Sequence, residues 1–187
     1  MRALFVKYII DLYKDVPTSI YEGLLSVLCL GAVVLISIKG FSRGLKLSAG
    51  LLAIEYVILI YCATVIFREY SENVGHDFTP FWSYEAIGNG RNDLLAENTM
   101  NVVVFVPVGI LTALVIYNKL KVFKVGLFIV ALGLFISSSI EALQFFLKRG
   151  FLELDDVFHN TLGCLIGFMI VVIIKGIWLL QKRYLMN

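Results

Sequence analysis

Five stretches of this sequence, residues 20–38, 47–67, 98–117, 122–147 and 157–180, are apolar over about the length of a membrane crossing. A helix needs about 20 mostly apolar residues to span the hydrocarbon core of a bilayer. The chain therefore reads as all-α, a polytopic membrane bundle of five transmembrane helices with an N-terminal interfacial helix. Its 187 residues would suit a soluble domain, but 59% of them are hydrophobic and only 16% charged, which places it among membrane proteins. The fourth run is long enough that tilt, or an end projecting past the lipid, is expected.

The rest of the composition removes several classes. A net charge of +2, with no basic stripe interleaved with aromatics, argues against nucleic acid as a partner. Cys29, Cys62 and Cys164 all fall inside apolar runs, are odd in number and form no CxxC. They read as small apolar fillers rather than disulfide partners or zinc ligands. Residues 1–17 interrupt their apolar patches with Lys7, Asp11 and Lys14, so they lack the core of a signal peptide. They fit a short amphipathic helix at the membrane surface, ended by Pro17 and Thr18. No internal repeat or low-complexity tract is visible.

Lysine and arginine set an expected orientation. Connections 39–46 and 118–124 and the C-terminal tail carry Lys39, Arg43, Lys46, Lys119, Lys121, Lys124, Lys182 and Arg183, and no acidic residue. The opposite side receives every loop carboxylate, from Asp11 and Asp15 to Glu153, Asp155 and Asp156. The acid-free side is expected to be cytoplasmic, with the N-terminus outside and the C-terminus inside. Arg2, Lys7 and Lys14 then lie outside, against the rule.

Polar residues gather at the outer ends of three spans. Asn98, Asn101, Phe105 and Gly109 recur at helical spacing on the third, and Ser137, Glu141, Gln144 and Lys148 on the fourth. Asp156, Asn160, Gly163 and Gly167 form one stripe on the fifth. Polar side chains at membrane depth face the bundle interior unless they meet water, so a cavity opening outward over an apolar floor is expected. Gly163 and Gly167 would let another helix approach closely, and Pro107 is expected to kink the third span near Val103. Glu141, buried, could be protonated or pair with Lys148, Arg149 or Arg68. Glu22 lies near an outer end and could reach water, whereas Glu55 sits deeper without polar companions nearby in sequence.

At these residues the chain resembles the VanZ-like family of bacterial membrane proteins, whose namesake is linked to teicoplanin resistance. The resemblance covers roughly residues 64–172 and rests on "TPF" at 79–81, "NTMNVVVFVPVGIL" at 98–111, "IEALQFFLKRGFLELDD" at 140–156 and "HNTLGCLIG" at 159–167. Asn101, Phe105, Pro107, Gly109, Glu141, Gln144, Arg149, Asp155, Asp156, Asn160 and Gly163 occupy the positions of the family pattern. The first span lies outside it, a departure from a four-span core. The organisation expected is an N-terminal segment at 1–17, two spans over 18–63, a VanZ-like core at 64–172 with outward loops 68–97 and 148–156, and a cytoplasmic end at 173–187. The resemblance implies action at the outer boundary of the bacterial cytoplasmic membrane.

Three functional classes follow. In the first, the cavity binds an amphiphile: a lipid carrier, a lipid head group, a lipid-linked cell-wall precursor or a lipoglycopeptide. Arg149 and Arg68 would hold a phosphate or carboxylate, while Asn98, Asn101, Gln144 and Asn160 supply hydrogen bonds, with Glu141, Asp155 and Asp156 beside them. The aromatic residues Phe81, Trp82 and Tyr84 would rest at the interface. In the second, Glu141, Asp156 and His159 are catalytic, with Glu141 as a general base or with Asp155 completing a cation site. Capping of a helix start is the simpler use of the two aspartates, and an interfacial hydrogen bond the simpler use of His159. Asp155 and Asp156 point apart on a continuous helix, so no metal site and no cofactor is assigned. In the third, Glu141 and Glu55 form part of a proton path in a small transporter, its missing walls supplied by a homo-oligomer.

Overall fold

A computed structural model of the protein describes residues 7, 10, 11, 13–39, 41–117 and 121–185. The elements are α1 (Thr18–Lys39), α2 (Phe41–Tyr61) with one π-helical turn (Cys62–Ile66), β1 (His76–Asp77), α3 (Trp82–Gly88), α4 (Asn92–Ile116), α5 (Val122–Phe146), β2 (Leu152–Glu153) and α6 (Leu154–Leu185). Among the described residues, four helical stretches are long and apolar enough to cross a membrane: Arg43–Ile66, Asn92–Ile116, Val122–Phe146 and Leu154–Leu185. A shorter apolar stretch, Thr18–Ala32, belongs to α1. The all-α membrane bundle read from the apolar runs is therefore present. The longest helix is the last, because its 32 residues begin ahead of the apolar run and take in Asp155 and Asp156.

The expected surface helix at 1–17 lies partly outside the described residues, as do Arg2 and Lys119. Lys7, Ile10, Asp11 and Tyr13 are helical, and Val16 is buried against Cys62 and Ala63 at the end of α2.

Helices α4 and α6 touch backbone to backbone. A Cβ at Gly109 would overlap the Cys164 carbonyl, one at Gly163 the Val102 carbonyl, and one at Gly167 the Val106 carbonyl. Glycine is what permits this approach, and the stripe on α6 is met by a glycine of α4. Phe105, Val108, Ile129 and Cys164 lie in the core around the contact. Helix α4 continues through Pro107. Its Val104 carbonyl accepts the Tyr56 hydroxyl at 2.9 Å, next to the Val103 carbonyl that proline leaves without a helical donor.

The loops at one end of the bundle are tied together. Ser71 N–H donates to the Lys148 carbonyl at 2.8 Å and Leu152 N–H to the Gly75 carbonyl at 3.0 Å. Strands β1 and β2 pair in parallel, His76 with Leu152 and Asp77 with Glu153. Helix α5 ends in a Schellman motif with Lys148 at φ 54°, Lys148 N–H bonded to the Phe145 carbonyl at 3.2 Å and Arg149 N–H to the Gln144 carbonyl at 2.7 Å. Lys148 thereby leaves the helix and is exposed, off the face its spacing assigned to it, while Ser137, Glu141 and Gln144 are buried.

Candidate functional site

A cavity of about 670 Å³ lies at this end of the bundle. Thr64, Asn101, Glu141, Gln144, Asp156 and Asn160 bring polar groups to it from α4, α5, α6 and the π turn of α2. Val104, Phe105 and Ile140 add apolar lining from further along the helices. Arg68, Arg149 and Glu153 come from the tied loops, and Asp11, Lys14 and Asp15 from the N-terminal segment.

Local structure explains each placement. The π turn offsets the helical ladder, and the Thr64 carbonyl within it accepts the Gln144 amide at 3.1 Å. Asn101 donates to Asp156 Oδ1 at 2.7 Å, joining α4 to the first turn of α6. Asn160 donates to Ser137 Oγ at 2.9 Å, joining α6 to α5. Glu141 Oε2 accepts the Glu153 N–H at 3.1 Å, which fixes β2 over the end of α5.

Three candidates, Asn98, Asp155 and His159, lie elsewhere. Asn98 and Asp155 do not line the cavity; both meet Ser83. Asp155 Oδ1 accepts the Phe81 N–H at 2.6 Å, and Oδ2 accepts the Ser83 N–H at 3.0 Å and its hydroxyl at 2.5 Å. The carboxylate thus caps α3, a different helix from its own. His159 Nε2 shares a 2.8 Å hydrogen bond with the Tyr84 hydroxyl, so it too anchors this loop. The two aspartates diverge along α6 as its helical spacing requires. Among the described residues no group of three or more His, Cys, Asp or Glu is placed to hold a metal ion.

Negative charge dominates the lining. Glu97, Glu141, Glu153 and Asp156 join Glu69, Asp11 and Asp15, against Arg68, Arg149 and Lys14. The ion pairs among the described residues are both at exposed positions, Lys14–Asp11 at 4.0 Å and Arg91–Asp93 at 2.7 Å. Glu141 has no ion-pair partner among them. Of its expected partners, Lys148 is exposed, and Arg149 donates through Nη1 to the Arg68 carbonyl. The Arg68 guanidinium lies against Gly150, where a Cβ would come within 3.3 Å of Cζ. Burial, and then Glu97, Asp77 and Asp155, push the Glu153 carboxyl up to about 7, with Arg68 opposing.

Sequence reasoning missed Glu97, Glu153, Thr64 and Ser83 as site or anchoring residues, and it read Tyr84 as an interfacial aromatic without its bond to His159. Glu97 precedes Asn101 by four, so extending that stripe outward by one turn reaches it. Ser83 gave no signal, since Asp155 is 72 residues away and Asn98, 15 away, lies on another helix, and the partner of Tyr84 is 75 residues away.

Long apolar helices gathered around a polar cavity at one end define a multi-pass membrane protein. Residues 52–175 match the VanZ/LLP1 family model, and the chain belongs to that family. No curated protein and no solved structure matches the chain.

Proposed function

We propose that this VanZ/LLP1 protein binds an amphiphile in its polar cavity at the outer face of the bacterial cytoplasmic membrane. The ligand would be a lipid carrier, a lipid head group or a lipoglycopeptide such as teicoplanin, and binding would contribute to glycopeptide resistance or envelope homeostasis. In this reading α1 is a fifth span, the N-terminus is outside and the C-terminus cytoplasmic.

One observation carries the reading. The cavity, at about 670 Å³, has the size of a small-molecule site and combines polar walls with apolar lining where helices end in loops. An amphiphile needs that combination, since its head group seeks hydrogen bonds and its chains remain in lipid. Native mass spectrometry of gently purified protein, with and without a chelator, tests it. Retained phospholipid or lipid carrier, lost in Arg149→Ala, supports binding. A stoichiometric divalent metal lost in Asp156→Asn would replace this reading with a metal-dependent one.

A second reading is favoured by Glu141, a buried carboxylate that makes no ion pair among the described residues and lines the cavity beside Asp156. Such a group suits general acid–base work on a lipid or envelope precursor. Chemical turnover of a retained lipid, abolished in Glu141→Gln, would establish it.

A further inference from the structure

Several inner polar atoms of the cavity have no donor facing them. Gln144 uses its amide N–H on the Thr64 carbonyl, Asn160 uses its own on Ser137, and Glu141 receives a single N–H from Glu153. Gln144 Oε1, Asn160 Oδ1 and Glu141 Oε1 accept nothing among the described residues and open onto the cavity that these side chains line. Asp156 accepts the Asn101 amide on one oxygen and leaves the other without a donor. Water or a ligand in this space can donate to them.

Water would bring donors but not charge. Glu97, Glu153 and Asp156 stand beside Glu141, and the lining carries more carboxylates than cations. Arg149 is engaged with the Arg68 carbonyl, Arg68 is exposed, and Lys14 pairs with Asp11 at 4.0 Å. The raised Glu153 carboxyl reflects the same crowding, with burial as its largest cause. Among the described residues no three His, Cys, Asp or Glu side chains are grouped to hold a metal ion. A protonated amine fits: it carries one positive charge and up to three N–H donors on a compact centre.

Resting on the amphiphile reading, we propose that the cavity recognises its ligand by a protonated primary amine. The ammonium would sit among Glu141, Asp156, Gln144 Oε1 and Asn160 Oδ1, and an anionic group on the same head would lie toward Arg68. The ligand class is therefore an amine-bearing, zwitterionic or cationic amphiphile rather than a purely anionic lipid.

Calorimetric titration of the full chain in nonionic detergent tests this with three short-chain lipids: dihexanoyl phosphatidylethanolamine, phosphatidylcholine and phosphatidylglycerol. The ethanolamine lipid is expected to bind saturably, at least about tenfold tighter than the glycerol lipid, as a charged hydrogen-bonded contact would give. The choline lipid, whose nitrogen has no N–H, is expected to bind more weakly than the ethanolamine lipid. Glu141→Gln should weaken the ethanolamine lipid by about tenfold and leave the glycerol lipid within about twofold. Asp156→Asn serves the same purpose if that variant does not fold, and the wild-type ranking needs neither. Glycerophosphoethanolamine, which has the head group without acyl chains, separates the sources. Equal binding would keep the amine contact but assign it to a water-soluble ligand. Glycerol lipid binding as tightly as ethanolamine lipid would overturn the amine inference and leave amphiphile binding standing. No saturable binding by any of the three lipids would overturn both.

Discussion

Asp155 in α6 and Ser83 in α3, 72 residues apart, are joined at two points: Asp155 Oδ2 accepts both the backbone N–H and the hydroxyl of Ser83. The other oxygen holds the N–H of Phe81, whose φ of 62° is left-handed and strained for an aromatic residue. Ser83 also accepts the Asn98 amide at 2.9 Å, so one hydroxyl links three elements. Ser83→Ala should cost about 1–3 kcal/mol, as expected when buried partners lose a hydrogen bond. Asp155→Asn should cost at least as much, because its amide turns a donor toward other donors. Thermal unfolding followed by tryptophan fluorescence, with limited proteolysis of the loop containing α3, measures both effects. Unchanged melting and unchanged protease resistance in Asp155→Asn would show that the loop is held by something else.

The same contact shows how far the sequence could be read. Apolar runs and helical spacing placed Asn98, Asn101, Asp155 and Asp156 at one end of the bundle, because length and period are local properties. They did not divide these residues between the cavity and the α3 anchor. That division depends on where the 68–97 loop folds back, and the loop is held by partners distant in sequence. The two-residue pairing of β1 with β2 has no period to detect. The π turn at Cys62–Ile66 carries no glycine or proline signal. Gly163 and Gly167 were legible as an approach surface, since small residues four apart on an apolar helix have few other uses.

Lys148 ends α5 at φ 54° in a position glycine favours. Its side chain is exposed, so Lys148→Gly removes backbone strain without emptying the core. The substitution should stabilise the protein by about 0.5–1 kcal/mol. A higher Tm in detergent is the expected reading. A lower Tm would mean that the lysine side chain makes a contact worth more than the strain.

Glu153 gives the fold a pH dependence of definite sign. Its carboxyl is pushed from 4.5 up to about 7, chiefly by burial and then by neighbouring carboxylates, so folding favours the protonated form. The stability this contributes is fully present below the unfolded value and is lost as pH rises through the folded one. Tm should therefore fall between pH 4.5 and about 7. Glu153→Gln keeps the backbone N–H that Glu141 accepts and should flatten the decline. A wild-type Tm that rises across this window would contradict the assignment.

The contact between α4 and α6 leaves no room for a methyl group. Gly163→Ala would press a Cβ onto the Val102 carbonyl, a backbone atom that cannot rotate away. The expected loss is about 3 kcal/mol or more, at the upper end for overpacking. Gly176 lies on the same helix with open space where a Cβ would stand. Gly176→Ala should be neutral or stabilising by up to about 1 kcal/mol, from helix propensity. Similar losses for both variants would indicate a general intolerance of α6 rather than close backbone packing.

Glu55 raises a different question, because it lies in α2 away from the cavity lining. It is 6% exposed, and its Oε1 has no hydrogen-bond partner among the described residues. An unsatisfied buried carboxyl costs stability that an apolar side chain of similar volume would recover. Glu55→Met should therefore stabilise the protein by about 1–3 kcal/mol, and Glu55→Gln by less, since it retains an unpaired polar group. Urea or thermal unfolding of both variants in the same detergent gives the comparison. Destabilisation by Glu55→Met would show that the carboxyl engages a partner, and would make the proton path through Glu55 the next hypothesis to measure by flux.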